Sequence, residues 1–98
     1  MDFYDSIAKT ICDEMKTKHK YHIVPRDKKA VRSTVIYLEN HPRVFSIVIC
    51  DINERFCNDK DYVLVFSNTD PSTNREIAAI NFNNPKMIDI INECLGET

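Results

Sequence analysis

The sequence predicts a single α+β domain, an antiparallel four- to five-stranded meander sheet flanked by an N-terminal and a C-terminal helix. Three observations lead there. Apolar residues recur at three- and four-residue steps near the two ends of the chain, as amphipathic helices require. Between the ends lie short runs rich in β-branched and aromatic residues, as strands require. The connections between those runs are rich in asparagine and suit an antiparallel meander.

The first helix is expected over about residues 2–18. Tyr4, Ile7, Ala8, Ile11, Cys12 and Met15 form its apolar stripe. Asp2 and Asp5 stand at its start and Lys16, Lys18 and Lys20 at its end, an order that suits the helix dipole. The last helix is expected over about 85–95. Asn84 is a good N-cap, Pro85 a good first helical residue and Gly96 a good left-handed C-terminal cap. Ile88, Ile91 and Leu95, with Met87 and Cys94 beside them, are its expected buried face.

Strands are expected over Val31–Glu39, Arg43–Ile52, Tyr62–Ser67 and Glu76–Phe82, with Tyr21–Val24 as a short fifth, stopped by Pro25. Val44, Phe45, Ile47, Val48 and Ile49 are apolar on both faces, which predicts a central strand. A meander also orders the loops. One pole holds the Asn40–Pro42 turn and 68–74; the other holds 25–30, 53–61 and the Asn84 cap. A nine-residue strand sets these poles about 30 Å apart.

Ninety-eight residues fit one domain with one modest core. No run approaches the roughly 18 apolar residues that cross a membrane, and Met1 to Tyr4 show no signal-peptide pattern. Cys12, Cys50, Cys57 and Cys94 include no Cys-x-x-Cys pair, which predicts free thiols and a cytoplasmic setting. Gly96 is the sole glycine. A Walker-type phosphate loop and a dinucleotide fingerprint both need glycines where backbone meets phosphate, so those enzyme classes are excluded.

Each candidate for chemistry fails on spacing or placement. Cys57 and His41 fall at opposite poles, out of the reach a thiol–imidazole pair needs. Cys50 and Cys57 are too far apart in sequence for a zinc knuckle, and His19 and His22 have no cysteine beside them. Residues 51–62 match an EF-hand at Asp51 and Asn53 but carry Phe56 where glycine belongs and Tyr62 where a bidentate glutamate belongs. Asp51, Glu54, Asp59 and Asp61 share a loop without the lysine a metal-dependent nuclease would add. The expectation is a protein that is not an enzyme and takes no metal or cofactor.

Charge is the strongest remaining signal. Residues 16–32 hold Lys16, Lys18, Lys20, Arg26, Lys28, Lys29 and Arg32 against Asp27 alone, a net +6, on a chain whose total is −2. Such a block can hold an acidic protein or a nucleic-acid backbone, and His19, Tyr21 and His22 add donors and a stacking surface. The leading expectation is a small cytosolic interaction protein. It acts as a regulator or inhibitor by occupying a partner protein's surface, as small accessory proteins of phages, viruses or mobile elements do. The alternative is a nucleic-acid-binding module using the seven cations. Two helices cover one sheet face well but hardly two, so a homodimer is expected to shield the other.

Overall fold

The computed structural model describes residues 3–25, 33–49, 62–68 and 75–96. The elements run α1 (Phe3–Glu14), β1 (Tyr21–Val24), β2 (Thr34–Leu38), β3 (Val44–Ile49), β4 (Tyr62–Ser67), β5 (Glu76–Asn81) and α2 (Met87–Leu95). The sheet has the order β1-β2-β3-β4-β5, with every neighbouring pair antiparallel. This is the expected α+β meander, with β3 at its centre and the short strand present. β2 to β5 have five to six residues rather than nine, so the poles stand about 17–20 Å apart.

Period-two alternation sorts the strand residues onto two faces. The register puts Thr34 opposite Ile49, Ile36 opposite Ile47, Ile47 opposite Val65 and Val63 opposite Ile80. That face forms the main core with Ala8, Ile11 and Cys12 of α1 and Ile91 and Leu95 of α2. Both helices therefore lie on one face of the sheet, α1 over β2 and β3 and α2 over β5. On the other face Val35, Val48 and Leu64 make a second, smaller cluster, with Tyr37 and Phe66 packed against it.

Five strands between two helices make α1 and α2 run the same way. Their starts meet through Phe3, Tyr4 and Phe82, whose rings form edge contacts at 5.4–6.0 Å. Thr34 Oγ1 donates to Asp5 Oδ1, tying the first turn of α1 to the start of β2.

Their far ends meet through Asn92. Its Oδ1 accepts from Lys16 N at 2.9 Å and its Nδ2 donates to Glu14 O at 3.4 Å. This explains why α1 ends at Glu14 rather than near residue 18. The Lys16 amide, which in a longer helix would bond Cys12, is taken by the side chain from α2, and Thr17 Oγ1 then accepts from His19 N at 3.1 Å. Lys16, Lys18 and Lys20 follow the helix instead of lining its last turn.

Asparagine does shape the connections. Asn40 is the described non-glycine residue with positive φ, at 55°. Asn81 Oδ1 accepts from Asn83 N and Asn84 Oδ1 from Lys86 N, both at 2.9 Å. Two successive Asx turns thus lead from β5 into α2, which begins at Met87, two residues later than expected. Gly96 closes α2 at φ 77°, and a Cβ there would lie 3.0 Å from Arg43 Nη1.

Replacing Asn92 with alanine strands the Lys16 amide and opens the end of α1. Urea denaturation of Asn92→Ala is expected to show a loss of about 2 kcal/mol.

Candidate functional site

Three of the seven predicted cations, Lys16, Lys18 and Lys20, lie among the described residues. Lys16, Lys18 and Lys20 are exposed on the segment joining α1 to β1. Tyr21 pairs with Leu38 and Val24 with Val35, so the chain enters β1 at the pole of the 39–43 turn and leaves it at the other. Arg26, Lys28, Lys29 and Arg32 lie outside the described residues, as do Cys50, Cys57 and the carboxylates Asp51, Glu54, Asp59 and Asp61. The three described lysines share their pole with Arg43 and Arg75, both exposed.

Arg43 and Arg75 line an open cleft of about 750 Å³ between α2 and the β5 edge, together with Glu76, Ile77, Glu93 and Cys94. Two guanidiniums face two carboxylates there, so the cleft carries no excess of either sign. Arg43 also lies against Gly96, where a cation meets the negative end of the α2 dipole.

His41 is 1% exposed and sits in the turn between β2 and β3. Its Nδ1 accepts from Arg43 N at 3.1 Å and from Val44 N at 3.0 Å. Its carbonyl accepts from Asn68 Nδ2 at 2.6 Å, which links the two turns of this pole. An imidazole nitrogen that accepts two N–H bonds carries no proton, so His41 acts as a turn cap. His19 packs edge-on against it at 4.8 Å.

The described thiols are poor nucleophiles. Burial, helped by the Asp13 carboxylate, pushes Cys12 up from 9.0 to about 11. Burial first and Glu93 second also raise Cys94, against the opposing pull of Arg43. Both are protonated at neutral pH. Among the described residues no group of three or more His, Cys, Asp or Glu is placed to hold a metal ion. No described helix is long and apolar enough to cross a membrane.

Two surfaces stand out instead. The first is the edge strand β1, where Tyr21 is 42% exposed, Ile23 37% and Val24 41%. Glu39 N donates to Lys20 O at 2.8 Å. Bonded pairs alternate along an antiparallel ladder, so His22 and Val24 bond β2 while the N–H and C=O of Tyr21 and Ile23 point outward. The second is an aromatic row on the face away from the helices. His22 stacks on Tyr37 at 5.3 Å and Tyr37 meets Phe45 edge-on at 5.7 Å. The β3–β4 register shift between Val44 and Ser46 falls at Phe45.

Sequence reasoning did not find Asn92, the capping role of His41 or the cleft. Asn92 had one legible signal, a polar residue inside the stripe Ile88, Ile91 and Leu95. His41 sat beside Asn40 and Pro42 in an evident turn, but nothing in the sequence marked its ring as buried.

Comparison with protein-family models, with curated proteins and with solved structures finds no match to this chain.

Two outcomes are expected at these residues. His41→Ala should cost about 2–3 kcal/mol in chemical denaturation, and His41→Asn, which can cap the same amides, should recover part of it. For Cys12, the unfolded thiol ionises near pH 9 and the folded one near pH 11, so its contribution is whole below pH 9 and lost as pH rises through 11. Unfolding free energy measured from pH 8 to 11 should fall by about 2 kcal/mol more in the wild type than in Cys12→Ala.

Proposed function

We propose that this chain is a small cytosolic, non-catalytic interaction protein that regulates or inhibits a partner protein by occupying its surface. The observation that carries this reading is the β1 edge. All four of its residues are exposed, Tyr21, Ile23 and Val24 among them, and two of them turn both backbone groups outward. An open, apolar strand edge is a liability that proteins usually blunt with charge, proline or a bulge. Pro25 does so at one end of β1 and Lys20 at the other, leaving the strand between them available.

Nucleic-acid binding is the second reading, and the aromatic row favours it. His22, Tyr37 and Phe45 lie beside a pole that carries Lys16, Lys18 and Lys20, and rings next to cations are how single strands are held by stacking and charge.

Affinity purification of the tagged chain from its native host, with and without nuclease, separates the two. The interaction reading expects one stoichiometric protein partner that survives nuclease treatment. Recovery that disappears with nuclease supports the second reading and rejects the first.

A further inference from the structure

Resting on the interaction reading, we infer that the outer edge of β1 takes an extended, acidic segment of the partner protein as a sixth strand of the sheet. The backbone decides the conformation of the occupant. Tyr21 and Ile23 each present an N–H and a C=O away from β2, spaced for the ladder of an added strand, whereas a helix offers no free groups to pair with them. The side chains decide its pattern. Tyr21 and Ile23 point to the helix-bearing face opposite Leu38 and Ile36, and His22 and Val24 to the other, so apolar residues at alternate positions of the incoming strand extend both faces.

Charge decides its sign. Residues 15–25 contain Lys16, Lys18, Lys20, His19 and His22 and no aspartate or glutamate. Lys18 and Lys20 are exposed beside the entry to β1, and Glu39 alongside is joined to Lys20 through backbone groups. An acidic residue at the matching end of the partner strand meets these lysines. A second copy of this chain has no aspartate or glutamate in its own segment 15–25 and so offers these lysines no acidic residue from that edge.

The opposite edge differs. Along β5 the register shifts between Val65 and Phe66, so Ile77 falls at the irregularity. A bulge bends the edge away from regular pairing.

Selection of a random dodecapeptide display library against the full chain tests this. The expected winners alternate β-branched or aromatic residues with polar ones, carry net negative charge, and slow amide exchange at Tyr21 and Ile23 at least ten-fold. Ile23→Pro removes a donor that β2 does not use, so the sheet is expected to persist by circular dichroism while peptide binding is lost. Lys18→Glu with Lys20→Glu, which leaves the strand intact, should weaken binding ten-fold or more. The inference falls if no peptide is enriched, if winners are basic or helical, if binding ignores both variants, or if the free chain dimerises through β1. A host partner that still co-purifies with Ile23→Pro sinks the edge while leaving the interaction reading in place.

Discussion

The amide of Asn92 is the joint on which the helical layer depends. It is 4% exposed, inside an apolar contact, and its two ends serve two backbone groups at the terminus of α1. A buried amide is costly unless both its donor and its acceptor are used, so the side chain tolerates one relative position of the two helices. That position sets α1 over β2 and β3, turns the chain out of the helix at Lys16, and delivers it to the end of β2 where β1 begins. The exposed lysines and the open edge both follow from where this turn occurs.

The two faces of the sheet differ accordingly. The helix face buries Ile36, Ile47, Ile49, Val63 and Val65 to complete exclusion of solvent. Its partner face holds three apolar residues and then a tier of rings toward the lysine pole. β1 lies at one edge of the sheet, and all four of its residues are exposed. A strand with so little of its own surface buried stays in place through its ladder to β2. Its outer side remains in solvent as part of the same arrangement.

Much of this architecture could be read from residue pattern. Strand residues alternate or run apolar because the sheet is buried on one or both faces, and that made the order of elements and the centrality of β3 visible. The limits of the elements were harder. α1 stops at Glu14 because the Lys16 amide bonds a residue 76 positions away, and local propensity holds no trace of such a partner. The basic block was visible as a count, and three of its seven cations, Lys16, Lys18 and Lys20, lie among the described residues where the chain enters β1. His41 was legible as part of a turn, and its burial was not, because the capping imidazole is defined by the chain folding back over it. Nothing in the pattern distinguished an edge left open from one that a neighbouring segment would cover.

The first and last elements finish each other, and this bears on the order in which the molecule can assemble. The strands pair with sequence neighbours and can zip up as each hairpin emerges from the ribosome. The opening helix is synthesised before any of them, yet its final turn lacks a partner until residue 92 is made. A nascent chain halted short of that point carries a formed sheet beside an apolar helix face with nothing to lock it. Such an intermediate invites chaperone holding or mispairing.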